Sequence, residues 1–274
     1  MRSNPIASPA RPDPTFEHWF ESWFDTPHYH RLYAGHDRLE AVRFVDRLVE
    51  WLHPRAEARM LDLGCGAGRH ARALADHGFD VTGLDLAADT IRRARRHETS
   101  RLHFVHQDMR VPFGHERFDV VFSFFTSFGY FAGDDEDERV VRNIADALRP
   151  EGTLVLDYLN VAWSERRLVA AEEREIDGHR YRISRWSDEA HFFKRIETDG
   201  TDGSAPRRHM ERVAKLRLRD FERLLAHAGF AVETVFGDYE LSPYDEAASP
   251  RLIVVARKRA AAARKRAAVA RRAA

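Results

Sequence analysis

Between residues 58 and 160 the chain repeats one alternation: a short apolar run, a turn bearing glycine or acid, then apolar positions at helical spacing. Met60 to Leu63, Val81 to Leu86, Phe104 to Met109, Phe118 to Ser123 and Leu154 to Asp157 are the apolar runs, and all are read as strands. Ala71 onward and Asp134 to Leu148 are read as helices between them. Such alternation implies right-handed crossovers and a parallel sheet. Upstream, Phe16, Trp19, Phe20 and Trp23 fall on one helical face, and a longer helix is predicted from Asp37 to Leu52, ended by Pro54. Residues 1–14 carry four prolines and predict no packed structure.

From residue 161 to 216 the period shortens to two. Glu172 to Asp177 and His179 to Ser187 flank Asp177-Gly178, a hairpin signal. His191 to Thr198 and Arg207 to Leu218 extend the pattern, which predicts three or four antiparallel strands. A helix around Phe221 to Gly229 follows, then Val232 to Phe236 and Leu252 to Ala256 as a closing hairpin. The expected fold is α/β: a Rossmann-like, seven-stranded, mostly parallel sheet with a C-terminal antiparallel hairpin, an N-terminal helical cap and an inserted antiparallel β subdomain. The expected divisions are 1–14 (disordered), 15–57 (cap), 58–160 (core), 161–216 (insertion), 217–258 (last helix and hairpin) and 259–274 (basic Ala/Arg tail).

Composition narrows the function classes. At 43% apolar residues in 274, a sizeable core is affordable, and no run of about 18 apolar residues suggests a membrane span. The start lacks an apolar signal region and Cys65 is the one cysteine, so a reducing, cytoplasmic setting is expected. The net charge of zero hides an asymmetry: residues 257–274 hold eight basic side chains and no acid, leaving −8 on the rest. An acidic body argues against a broad nucleic-acid face. The tail reads as a solvated appendage or as a basic arm for RNA or an anionic surface, and no aromatic residue is interleaved there for base stacking.

The stretch with most chemistry is Met60-Leu61-Asp62-Leu63-Gly64-Cys65-Gly66-Ala67-Gly68-Arg69-His70, a strand, a glycine turn and a helix start. Gly64 and Gly66 allow a sharp turn and close approach of a ligand, at which the helix points unpaired N–H groups. Gly66 to Ala71 also fits the looser G-x-G-x-x-A dinucleotide fingerprint. Asp62 would repel a pyrophosphate yet suits a ligand carrying an amino group and a sulfonium. Asp85 ends the second strand and suits ribose hydroxyls. Asp108 and Met109 end the third and suit an adenine, the carboxylate taking its amine and the thioether its ring face. Phe124 to Phe131 is an aromatic stretch interrupted by Thr126, Ser127 and Gly129, either core or the wall of a site at a strand end.

These blocks, in this order, resemble the class I S-adenosylmethionine-dependent methyltransferases over about residues 58–160 and 215–258. The resemblance implies S-adenosyl-L-methionine as cofactor and methyl transfer by in-line displacement to a small-molecule acceptor, walled by cap and insertion. It implies that Gly64 and Gly66 approach the methionine portion beside Asp62 and Cys65, that Asp85 takes the ribose, and that Leu86 and Met109 bracket the adenine. Asp108 would receive the adenine amine, Ser123 would lie near the sulfonium through its backbone, and Tyr29 and Tyr33 would close over the amino-acid end. No base is fixed by the pattern; Tyr130 and His191 are the candidates. No metal site is expected, since nothing holds His28, His30 and His36 on one face and the acids 134–138 are consecutive. The Asn/Asp-Pro-Pro-aromatic motif of amino-group DNA methyltransferases and a Pro-Cys nucleophile are both absent. Other readings are an RNA or protein methyltransferase using the tail, a non-catalytic cofactor-binding protein of the same fold, and a dehydrogenase.

Overall fold

The computed structural model describes residues 18–33, 38–131, 133–200 and 206–260. The proline-bearing start (1–14) and most of the basic tail (261–274) lie outside them. The chain opens with three helices: α1 (Trp19–Trp23), α2 (Pro27–Leu32) and α3 (Arg38–Leu52). It continues as β1 (Arg59–Leu63), α4 (Arg69–Asp76), β2 (Asp80–Asp85), α5 (Ala88–Ala94), β3 (Leu102–His106), β4 (Phe118–Ser123), α6 (Asp134–Ala147) and β5 (Leu148–Leu159). Then come α7 (Val161–Arg166), β6 (Ala171–Ile176), β7 (His179–Ser187), β8 (His191–Thr198), β9 (Arg207–Ala214), α8 (Leu218–His227), β10 (Phe230–Phe236) and β11 (Arg251–Lys258).

Three of these helices, α2, α5 and α7, are too short for the apolar pattern to mark, at six or seven residues each. The first and last of them start at a local cap. Thr26 accepts the Tyr29 N–H at 3.1 Å with Pro27 in the first turn, and Asn160 accepts the Ala162 N–H at 3.2 Å.

The main sheet runs β10-β11-β5-β4-β1-β2-β3, with β11 antiparallel to both its neighbours. Alternation in β1 sends Met60 and Asp62 toward α3 and α4, and Leu61 and Leu63 toward α6 and α8. With helices on both faces, the central strands read as nearly continuous apolar runs. Each fully buried large side chain, such as Met60, Leu61 or Phe122, contributes about 1.5–3 kcal/mol. The strand order reverses between β1 and β4, and the crevice at their carboxyl ends is where ligands of such sheets bind.

The insertion is a four-stranded antiparallel sheet, β6-β7-β8-β9. It docks on the core through Tyr158, whose hydroxyl donates to the Ala214 carbonyl at 2.7 Å, and through the Ala214 N–H, which donates to Gly129 at 2.9 Å. The cap is tied down by charge. Asp25, between α1 and α2, accepts the N–H groups of Asp89 and Thr90 at 2.8 and 3.0 Å, at the positive end of α5. Among the described residues no helix is long and apolar enough to cross a membrane, and no group of three or more His, Cys, Asp or Glu side chains could hold a metal ion.

Candidate active site

The glycine turn leaves β1 at its carboxyl end. Gly64 sits at φ +74° and donates its N–H to the Leu84 carbonyl at 2.8 Å. A Cβ there would stand 2.5 Å from the Ser127 Cβ, so the missing side chain lets the loops after β1 and β4 touch. Gly66, at φ +53°, donates to Asp85 Oδ2 at 2.7 Å, and a Cβ on it would meet nothing within 4 Å. The Ala87 N–H donates to the other Asp85 oxygen at 2.9 Å. Burial pushes the Asp85 carboxyl up, against the pull of these N–H groups.

Asp62 lies behind the turn. It is fully buried, and one oxygen accepts the Ala71 N–H at 3.0 Å in the first turn of α4, while Oδ1 has no hydrogen-bond partner. Burial pushes its carboxyl up to about 7, with the Ala71 N–H opposing. Cys65 is buried too, and burial, then Asp62 and Asp85, push its thiol up, so it is a small neutral side chain rather than a nucleophile.

Asp108 is gripped by Arg110, whose Nε donates at 2.9 Å to Oδ2 and whose Nη2 donates at 2.6 Å. Burial alone would raise the Asp108 carboxyl; the Arg110 hydrogen bonds and charge hold it below its ordinary range. The same guanidinium reaches Glu136 of α6 at 2.8 Å and Glu21 of α1 at 2.9 Å. One arginine thus joins the third strand end, the sheet's helical layer and the cap.

The loop after β4 is strained. Phe125 and Thr126 hold φ of +57° and +63°, which L residues rarely adopt. Asp157 of β5 fastens them: it accepts the Phe125 N–H at 2.8 Å, and its carbonyl accepts the Thr126 N–H at 2.9 Å. Arg251 of β11 donates to Asp157 at 2.7 Å and to Thr126 Oγ1 at 3.1 Å, and the Tyr239 hydroxyl donates to Asp157 at 3.1 Å.

The insertion contributes an acid to the same space. Glu211 of β9 accepts the Trp23 indole N–H at 2.7 Å and the Tyr33 hydroxyl at 2.9 Å, with Lys194 of β8 at 3.6 Å. Lys194 also donates to the Tyr33 hydroxyl. Burial, then the Glu211 charge, push the Tyr29 and Tyr33 phenols up. Burial, with Tyr29 and Glu211 adding, does the same to Tyr130. All three are neutral hydroxyls at ordinary pH, so Tyr130 is built to donate a hydrogen bond rather than to take a proton.

These elements enclose a cavity of about 570 Å³. Of the residues singled out from sequence, Tyr29, Tyr33, Gly64, Cys65, Gly66, Asp85, Leu86, Asp108, Met109 and Tyr130 line it. Asp62, Ser123 and His191 do not: Asp62 caps α4 from behind, Ser123 is buried within the sheet, and His191 begins β8 beside Asp188. The lining also includes Arg69, Glu211 and Arg251, which sequence reasoning did not reach. Arg69 directly follows the glycine turn and so carried a readable signal; its guanidinium lies 4.8 Å over the Phe125 ring, and its buried Nη1 has no hydrogen-bond partner. Glu211 and Arg251 arrive from β9 and β11, and nothing in their local sequence marks them.

Comparison with known proteins agrees with this geometry. A family described as "Methyltransferase domain" matches residues 60–152. The dTDP-3-amino-3,6-dideoxy-alpha-D-glucopyranose N,N-dimethyltransferase of Streptomyces fradiae is 33% identical over 201 residues, covering 69% of this chain and 76% of that protein. An S-adenosylmethionine-dependent methyltransferase from Clostridium acetobutylicum superposes with a TM-score of 0.70 at 16% identity, over 84% of this chain and 95% of that one. The structure of S-adenosylmethionine-bound CalS10, an amino pentose methyltransferase of Micromonospora echinaspora, gives 0.60 at 24% identity, over 85% and 97%. A seven-stranded sheet ordered around the β1/β4 switch, together with 33% identity across three-quarters of the Streptomyces fradiae methyltransferase, means that this chain belongs to the class I S-adenosylmethionine-dependent methyltransferases, with S-adenosyl-L-methionine as its cofactor.

Proposed function

We propose that the chain methylates a small-molecule amine enclosed between the strand ends, the cap and β9. The observation that carries this reading is the cavity itself. Its 570 Å³ falls in the range of about 300–1,000 Å³ usual for small-molecule sites, and one wall is a carboxylate, Glu211, held by a cap tryptophan and a cap tyrosine. The relative from Streptomyces fradiae is named for dimethylating an amino sugar, which supports an amine as the acceptor here.

The residues present fit the cofactor. Each Asp85 oxygen accepts one N–H and keeps a second lone pair for a ribose hydroxyl. Leu86 and Met109 supply apolar surface for an adenine, with Asp108 beside them. The open side of Gly66 admits a close approach, and the unpartnered Arg69 Nη1 suits the amino-acid carboxylate. Bound there, the cofactor supplies a methyl group on a sulfonium.

The protein's own share is positioning, which can lower a barrier by up to about 7–11 kcal/mol. Trp19, Phe24 and Tyr130 pack edge-on or tilted around one another, at 5.4 Å between ring centres, and exclude water from the cavity wall. Glu211 accepts an N–H of the acceptor and turns its lone pair inward, and the neutral Tyr130 hydroxyl stays available as a donor. Cap, core and insertion act as units of one enclosure in this reading, which is the role proposed for segments 15–57, 58–160 and 161–216.

The test follows methyl-labelled cofactor into a panel of small amines, amino sugars, RNA and protein. Label in a small amine, with turnover falling at least tenfold in Glu211→Gln while S-adenosylhomocysteine affinity holds, is the expected result. Label confined to RNA or protein would overturn the proposal.

A further inference from the structure

We propose that a second groove, joined to the main cavity across the Tyr33–Lys194–Glu211 contact, holds the phosphate-bearing end of the acceptor. This rests on the small-molecule reading above and adds the acceptor's chemical class to it. The groove measures about 420 Å³ and shares Leu159, Glu211 and Val213 with the main cavity, so a single ligand can span both.

Its charge is set by the register of the inserted sheet. Arg185 of β7 stands opposite Lys194 of β8, which stands opposite Glu211 of β9. With a period of two, Glu172 and Arg174 of β6 share that face. Like charges directly opposite one another weaken a strand pair. Here Arg185 and Lys194 face each other with their side chains only 23% and 15% exposed. Glu172 serves two arginines at once, Arg185 at 2.5 Å and Arg174 at 3.2 Å.

Arg167, just after α7, brings a further guanidinium to the groove. It lies 4.8 Å over the Trp163 ring and meets no carboxylate among the described residues. Four cations therefore meet two carboxylates, a local excess of two positive charges. Guanidinium forks match phosphate oxygens two at a time, and a phosphate ester carries about −1.5 to −2 at neutral pH. Phe192, on the same face of β8 as Lys194, and Trp163 add flat apolar surface beside the cations. A phosphate group fits the excess charge, and the shared wall leads from it to Glu211, where the reactive amine is placed.

The test titrates the full chain, saturated with S-adenosylhomocysteine, with inorganic diphosphate by calorimetry. Arg167→Ala and Arg174→Ala are compared with the parent and with Arg223→Ala, which removes the same charge from the exposed face of α8. The proposal predicts saturable binding in the parent, weakened on the order of tenfold in each groove variant and unchanged in Arg223→Ala, with S-adenosylhomocysteine affinity equal throughout. No diphosphate binding by the parent, undiminished binding by both groove variants, or equal weakening in Arg223→Ala would overturn it. Methylation of an uncharged amine without any affinity for diphosphate would leave the small-molecule reading standing and remove this one.

Discussion

Replacing Arg251 with alanine probes how the strained loop over the cavity is kept in place. Phe125 and Thr126 occupy left-handed backbone, at a cost of about 1–3 kcal/mol each. Asp157, whose side chain is 1% exposed, holds that conformation and is itself neutralised by Arg251 at 2.7 Å. Removing one partner of a buried ion pair costs about 3–5 kcal/mol. The lower end applies here, because the Phe125 N–H and the Tyr239 hydroxyl still reach the carboxylate. A loss of about 3 kcal/mol is comparable with the strain being held. It lowers the melting temperature by roughly 6–12 °C in a chain of this size without preventing folding. Since Phe124 to Ser127 line the cavity, S-adenosylhomocysteine affinity falls on the order of tenfold as the loop relaxes. Arg251→Lys keeps the charge but not the two-point fork and restores only part of both. The assay is thermal unfolding by circular dichroism beside calorimetric titration. A melting temperature within about 2 °C of the parent, with unchanged affinity, would refute the reasoning.

Gly64→Ala places a Cβ 2.5 Å from the Ser127 Cβ in left-handed backbone, whereas Gly66→Ala carries the backbone penalty of about 1–2 kcal/mol with open space around it. Denaturant unfolding is expected to rank Gly64→Ala the less stable, and the reverse order would contradict the contact. Asp62 titrates near 7 when folded and near 4 when unfolded, so the native state binds the extra proton between those values. The residue's contribution therefore falls as pH rises through that window, by up to about 4 kcal/mol. Asp62→Asn should gain on the parent in melting temperature from pH 5 to pH 8, and parallel pH profiles would show that the buried carboxyl is not the cause. Asp85→Ala removes the acceptor for the Gly66 and Ala87 N–H groups and the proposed ribose ligand. Its S-adenosylhomocysteine affinity should drop at least tenfold, and binding equal to the parent would remove Asp85 from the site.

Most of the main sheet was legible because its strands are buried on both faces and separated by glycine turns and amphipathic helices. The insertion was legible through period-two patterning and the Asp177-Gly178 turn: its first three strands fall within a residue of where that pattern put them, while the fourth, read as Arg207 to Leu218, stops at Ala214 because Leu218 already opens α8. The short helices α2, α5 and α7 escaped because a helix of six or seven residues shows no periodicity. At the site, Asp85 could be found because it is the last residue of β2, and a strand followed by a polar turn fixes where its last side chain points; the third strand was read as running to Met109 but ends at His106, which leaves Asp108 in the loop beyond it. The burial of Asp62 behind the turn is a tertiary fact: alternation in β1 aims it at α4, whose own N–H group it accepts. Glu211, Asp157 and Arg251 were out of reach because each acts through partners far away in sequence. Asp157 and Arg251 are 94 residues apart, and Trp23 and Glu211 are 188 apart. Even Asp108, expected to wait for an adenine, proved to be engaged by Arg110 two residues on.

A crystal structure of the chain with S-adenosylhomocysteine tests the account most directly. It should show the nucleoside in the strand-end cavity, its ribose hydroxyls on Asp85, its adenine between Leu86 and Met109, and its carboxylate on Arg69, with space left against Glu211. A ligand bound away from Asp85, or one that fills the wall at Glu211 with its own atoms, would contradict it.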